Sequence, residues 1–76
     1  MVDTELLDEK IKKSGVKISF LIDKLGLSSQ GFYKKKKNPK AKWRGSEIYV
    51  IQDILRLSDA ETNKIFYSES TPFDVL

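Results

Sequence analysis

The sequence predicts an all-α fold, a compact bundle of five helices. Apolar residues recur three or four positions apart in successive segments, and glycines or a proline separate the first four of these segments. Serine or threonine stands at the start of most segments, as N-caps do. The chain has 76 residues, which suffices for one small domain. We therefore predict a single domain over residues 1–67 and a C-terminal tail over residues 68–76.

The composition excludes several classes of function. Cysteine and histidine are absent, which leaves no disulfide, no thiolate or imidazole metal ligand and no histidine general base. Because no cofactor motif is present either, we expect no enzymatic activity, no metal, no cofactor and no small-molecule substrate. The chain has no apolar run long enough to span a membrane, and its acidic first nine residues do not fit a signal peptide. We expect a cytoplasmic protein.

The first predicted helix begins at the N-terminus of the domain. Thr4 is expected to act as its N-cap, and the helix is expected to run to Ser14, where Gly15 ends it. Leu7 and Ile11 are four positions apart, and the opposite face is charged. This pattern is typical of a helix that lies on a core.

The second segment has two interpretations. Residues 16–22 alternate apolar and polar side chains in a rough period of two, which would suit a strand in a winged or mixed fold. However, Leu21 and Leu25 are four positions apart, and Gly26 follows at once as a helix stop. We therefore favour a short helix over residues 18–25.

The third predicted helix begins after a three-residue break. Ser28 is a good N-cap for a helix that starts at Ser29 and runs into a series of lysines. Phe32 should point into the core. Asn38 and Pro39 end the helix, because proline lacks the N–H donor and biases the preceding residue toward extended geometry.

Two further helices follow. Ser46 is predicted to begin the fourth, whose broad apolar face marks it as the most buried helix; this face is formed by Ile48, Ile51 and Leu55. Ser58 and Glu61 have the spacing of a capping box, and a last helix is predicted from Asp59 to about Tyr67.

Positive charge is concentrated in one short segment. Half of the 14 basic residues lie within residues 34–44, which contain no acidic residue. A dense basic segment is the electrostatic feature expected of a nucleic-acid-binding protein, although a solvated loop would show the same composition. Trp43 lies inside this segment and is expected to anchor it against the body of the domain.

The joint between the second and third helices is the most specific motif. Residues 18–35 read ISFLIDKLGLSSQGFYKK: a short helix, a glycine turn, then a helix with a small polar start and a basic end. This segment resembles the Cro and phage-repressor (Xre-like) family, and within it the small prophage-type regulators. The most specific matches are Leu21, Leu25, Gly26, Leu27, Ser28 and Phe32. The resemblance covers about residues 4–67 and implies a helix-turn-helix DNA-binding domain of the lambda-repressor-like type.

The resemblance also implies which residues would contact DNA. The third helix would be the recognition helix, with base-reading residues Ser29, Gln30, Tyr33 and Lys34. Phosphates would be bound at the start of the helix before the turn, at the cap of the recognition helix and in the loop after it. These phosphate-binding residues are Lys17, Ile18, Ser28, Lys36, Lys37, Asn38, Lys40, Lys42 and Arg44.

The sequence departs from the family pattern in three respects. Ile22 stands where a small alanine usually lets the two helices cross closely, which implies a wider crossing. Lys17 and Ile18 replace the usual polar cap and glutamine, which removes one side-chain contact to phosphate. Lys35 and Lys36 stand where an apolar residue is common, so either their aliphatic stems cover the core or the helix ends early.

The resemblance implies a sequence-specific regulator of transcription that occupies an operator in double-stranded DNA. A homodimer is expected, because two half-sites about 34 Å apart give adequate affinity where one short helix does not. Its expected interface is formed by Ile65, Phe66 and Phe73. The alternative function is a protein-interaction module that uses the same scaffold to bind an acidic protein, since fold does not fix function. RNA binding is a weaker third hypothesis, because no aromatic-rich sheet motif is present.

Overall fold

The structure is a computed structural model, and it describes residues 1–67. Five helices lie in this range. They are α1 (Thr4–Ser14), α2 (Ile18–Leu25), α3 (Ser29–Lys37), α4 (Gly45–Leu55) and α5 (Asp59–Phe66). No strand occurs within this range, so the all-α prediction is confirmed and the strand interpretation of residues 16–22 is wrong. The predicted tail, residues 68–76, lies outside the described residues. Among residues 1–67, none of the helices has the length and the apolar character of a membrane span.

The helix ends follow from local capping, with two corrections. The N-cap of α1 is Asp3 rather than Thr4: its Oδ1 accepts a hydrogen bond from the Leu6 N–H at 3.0 Å, and Thr4 is the first helical residue. Likewise, α4 begins at Gly45 rather than Ser46, because Glu47 Oε1 accepts from the backbone N–H of Arg44 at 2.8 Å and so fixes the cap there.

The joint between α2 and α3 forms at the predicted residues. Gly26 has a φ of 71°, in the left-handed region that glycine adopts without strain, and its N–H donates to the Asp23 carbonyl at 3.1 Å. The Ser28 side chain then accepts from the Gly31 N–H at 3.0 Å and starts α3. The chain thus leaves one helix and enters the next within three residues.

Each helix contributes one large, fully buried side chain to the core. In chain order these residues are Leu7, Leu21, Phe32, Ile51 and Ile65. Helix α4 packs against α1, α2 and α5, and it buries more side chains than any other helix, as its broad apolar face predicts. Helix α3 packs on α1 and α2, which leaves its remaining face toward solvent.

The predicted dimer interface on α5 is wrong. Ile65 is fully buried and Phe66 is 6% exposed, so both belong to the core of the monomer. A domain this small needs the apolar face of its last helix to complete that core. Phe73, the third residue of the predicted interface, lies outside the described residues.

Candidate nucleic-acid interface

Helix α3 is attached to the body through one face. Phe32 is fully buried, and its ring meets the rings of Trp43 and Tyr33 edge-on, with centroids 6.3 Å and 5.5 Å away. Lys35 and Lys36 follow it three and four positions later and therefore lie on the same face of the helix. Both lysines are held by carboxylates from other helices.

Lys35 joins α3 to α4. Its Nζ donates to Glu47 Oε1 at 2.8 Å and lies 5.2 Å from the centroid of the Trp43 ring. Burial of the Glu47 carboxyl raises its pKa, but the hydrogen bonds from Lys35 and from the Arg44 N–H outweigh burial and hold the pKa below its usual value. Glu47 is therefore ionised at neutral pH inside the protein and fixes α3 against the start of α4.

Lys36 joins α3 to α1. Its Nζ lies 2.6 Å from Asp8 Oδ1, and only 16% of its side chain is exposed. The hydrogen bond from Lys36, with a second one from Lys12, holds the pKa of Asp8 below its usual value. Lys36, which the sequence predicts to bind phosphate, thus has its ammonium group paired with Asp8 inside the protein. The helix does not end early, since α3 runs to Lys37, and the side chains of Lys35 and Lys36 are both partly buried.

The opposite face of α3 is open to solvent. The exposed residues on it are Ser29, Gln30, Tyr33, Lys34 and Lys37, and together with Ser28 and Gly31 they line one shallow depression. Lys34 and Lys37 form no salt bridge with any residue in 1–67. All four predicted base-reading residues therefore lie side by side on one exposed surface, which we call the α3 face.

Gly31 has a local role at the edge of this face. A Cβ added at this position would lie 3.1 Å from Ser28 Oγ, closer than ordinary van der Waals contact. Glycine thus gives the capping hydroxyl room to reach the Gly31 N–H. The atom that leaves no room for a Cβ at residue 31 belongs to the N-cap of the same helix. The glycine in α3 is therefore explained without a ligand.

The start of α2 offers a second set of donors. Lys17 is exposed and precedes the helix without a side-chain cap, and Ile18 is the half-buried first helical residue. Backbone N–H groups in the first turn of a helix have no carbonyl partner within it and attract anions. The two predicted phosphate-binding residues on α2 therefore lie at a helix end suited to that role.

The basic loop between α3 and α4 is anchored as predicted. Trp43 is buried between α3 and α5, with its ring edge-on to Phe66 at 5.9 Å between centroids. Its indole N–H is buried and has no acceptor among residues 1–67, so ring packing holds it in place. Asn38 Oδ1 accepts from the Lys40 N–H at 3.0 Å and shapes the turn.

The phosphate-binding residues predicted in this loop are all exposed; they are Asn38, Lys40, Lys42 and Arg44. Lys40 and Lys42 line a different depression from the α3 face, one whose floor includes Trp43. The lysines of residues 34–44 that are exposed therefore lie on two surfaces. Lys34 and Lys37 lie on the α3 face, and Lys40 and Lys42 lie at the depression that includes Trp43.

Exchanging two lysines of the same run for alanine should separate the anchored lysine from the exposed one. We expect Lys36→Ala to lower the melting temperature, because it leaves Asp8 without its principal partner. Lys34→Ala should leave the melting temperature unchanged, because Lys34 is exposed and forms no salt bridge within residues 1–67. Thermal unfolding of the two variants measures the difference. Equal losses of stability in both variants would contradict this division of the lysines.

Acid should destabilise the domain through Glu61. Hydrogen bonds from Lys10 Nζ, at 2.6 Å, and from the Ser58 N–H lower the pKa of Glu61 from 4.5 to about 2. Because its pKa is lower in the folded state, this carboxylate stabilises the fold fully above pH 4.5, and the contribution disappears as the pH falls through about 2.

The melting temperature should therefore decline between these pH values, and less steeply in Glu61→Gln than in the wild-type chain. Glu5→Gln is a suitable control, because Glu5 is exposed and forms no salt bridge within residues 1–67. If the melting temperatures of the wild-type chain and of Glu61→Gln fell equally with pH, Glu61 would not be the cause of the acid destabilisation.

Helix α3 thus has an anchored face and an exposed polar and basic face. Comparison of the chain with protein-family models, with curated proteins and with solved structures found no match.

Proposed function

We propose that the protein is a sequence-specific double-stranded DNA-binding regulator of transcription of the Cro or phage-repressor kind. In this proposal α2 and α3 form the helix-turn-helix of a lambda-repressor-like domain, and α3 is the recognition helix. The protein has no catalytic role, works in the cytoplasm and regulates transcription by occupying an operator. The observation that carries the proposal is the exposed α3 face on a helix that is fixed to the body from behind.

The side chains of the α3 face have the chemistry that base recognition needs. The Gln30 amide can pair with N6 and N7 of adenine, the Lys34 ammonium can donate to O6 and N7 of guanine, and the Ser29 hydroxyl can serve either base. Tyr33 is 40% exposed beside them and can reach a base edge or the backbone. Because Phe32, Lys35 and Lys36 fix the helix, its backbone is already ordered before these groups bind.

Phosphate contacts would come from both sides of the recognition helix. Lys17 and the backbone N–H of Ile18 would bind before it, and Ser28 would bind at its cap. After it come Lys37, Asn38, Lys40, Lys42 and Arg44. Such contacts fix the register of a protein on the duplex, while the α3 face would read sequence. Two copies would bind two half-sites, which gives a palindromic operator.

Selection of bound sites from random double-stranded DNA, followed by titration of the selected site, tests the proposal. We expect a palindromic consensus and an affinity that falls steeply with salt. Gln30→Ala should weaken binding to the selected site by about 1–3 kcal/mol, which is roughly 5- to 150-fold, and should relax the preference at one base pair. Asn63→Ala, which removes an exposed amide from α5, is the matched control.

Two results would contradict the proposal. If the affinity for selected and for scrambled DNA did not change with salt concentration, the basic residues would not be binding phosphates. If Gln30→Ala also left every affinity unchanged while an acidic protein bound through the basic loop, the scaffold would be a protein-interaction module instead.

A further inference from the structure

Helices α2 and α4 together expose two aromatic side chains that the proposed DNA contacts do not use. Phe20 is 48% exposed and Tyr49 is 69% exposed, and both line one surface depression with the half-buried Val50 and Ile54. Contiguous apolar surface on a soluble domain can mark a site of association, whereas single exposed apolar residues are ordinary. We call this surface, with Lys24 and Asp53 at its border, the α2–α4 patch.

The charges bordering the α2–α4 patch have opposite signs. The Lys24 Nζ lies 5.4 Å from the centroid of the Phe20 ring, and Asp53 borders the same depression from α4. Neither residue forms a salt bridge within residues 1–67. One cation and one anion at the border of a patch permit pairing with a second copy, since a two-fold axis that bisects the line between them places each charge opposite its counterpart.

A second depression adjoins the patch. Tyr49 and Asp53 also line it, and the rest of its lining is mainly polar: it consists of Gln52, Arg56 and Asp59 with the buried Leu57, at the turn between α4 and α5. A stable dimer buries about 1,200–2,000 Å² in total, more than two aromatic side chains supply. The adjoining depression extends the same face along α4 and provides further surface for contact.

We propose that a second copy of this chain docks on the α2–α4 patch, with α2 and α4 of each copy facing those of the other about a two-fold axis. Phe20 and Tyr49 become buried at the centre, and Lys24 of each copy pairs with Asp53 of the other. The choice of a second copy as the occupant rests on the self-complementary charges. It also rests in part on the proposed function, in which two copies read two half-sites. This interface replaces the one predicted on α5, whose apolar residues are in the core.

Charge reversal at two positions tests the interface in the absence of DNA. Lys24→Asp and Asp53→Lys should each raise the dimer dissociation constant about 10-fold or more in sedimentation equilibrium, because each places like charges opposite each other twice. A mixture of the two variants should recover association near the wild-type level, as a heterodimer in which every facing pair is again of opposite sign. Circular dichroism checks that each variant is folded, and Lys64→Asp on α5 is the matched control.

The outcomes separate this interface from the proposed function. Recovery of association in the mixture upholds the interface, even if the wild-type dimer shows no affinity for DNA, in which case the proposed function fails alone. A wild-type chain that stays monomeric at millimolar concentration overturns the interface, whether or not it binds a selected DNA site. Unchanged dissociation constants in both single variants overturn it as well.

Discussion

Phe32→Ala is expected to lower the free energy of unfolding by about 3–5 kcal/mol, the range for removal of a buried phenylalanine from a core. The side chain is fully buried, and it meets Trp43 and Tyr33 edge-on. A chain of this size has a total stability of about 4–11 kcal/mol at typical values per residue. The substitution should therefore remove a large share of the stability and leave part of the population unfolded at room temperature.

Urea denaturation followed by circular dichroism measures this loss. Phe32→Leu is the appropriate comparison, because it keeps an apolar side chain in the same place and should lose much less stability. Tyr33 meets the Phe32 ring but is 40% exposed, so Tyr33→Ala should also lose less stability than Phe32→Ala. A loss below about 1 kcal/mol for Phe32→Ala would contradict the central position of Phe32, since cavities of this kind cost more.

Glu47→Ala should cause the second large loss, about 2–3 kcal/mol, because it leaves two hydrogen-bond donors without their acceptor. The carboxylate accepts from Lys35 Nζ and from the Arg44 N–H, each at 2.8 Å, and its side chain is 8% exposed. Its removal frees the ammonium group of Lys35 and the cap of α4 together. The junction between α3 and α4 should loosen as a result.

A double substitution distinguishes a broken ion pair from a simple loss of packing. Lys35→Met with Glu47→Leu replaces the pair by apolar side chains of similar length, and such replacements are often neutral in stability. We expect the double variant to be more stable than Glu47→Ala in chemical denaturation. If the double variant were the less stable of the two, the pair itself would contribute more than this explanation allows.

The helices could be predicted closely because their ends are local in origin. Gly15 and Gly26 adopt positive φ values, and Ser28 and Ser58 accept the capping hydrogen bonds, all within a few residues of the helices that they end or begin. The start of α1 was missed by one residue because two adjacent residues can both cap a helix. The start of α4 was missed because its cap depends on the Glu47 side chain.

The candidate site was only partly predictable, and the lysine run shows why. Consecutive helical residues point about 100° apart, so the periodicity can tell which lysines share a face. It cannot tell which face meets a carboxylate, because Asp8 and Glu47 lie far from their lysines along the chain and come close only after folding. The same limit applies to Ile65 and Phe66, whose apolar character fits an interface and a core equally well.

Trp43 gives this protein a built-in optical reporter. It is the chain's single tryptophan, and it sits where the basic loop meets the core. Its fluorescence therefore comes from one site, without any label. If a polyanion engages Lys40 or Lys42, the emission of this indole should shift even though the ring touches no nucleotide, and a titration can be read directly from that shift.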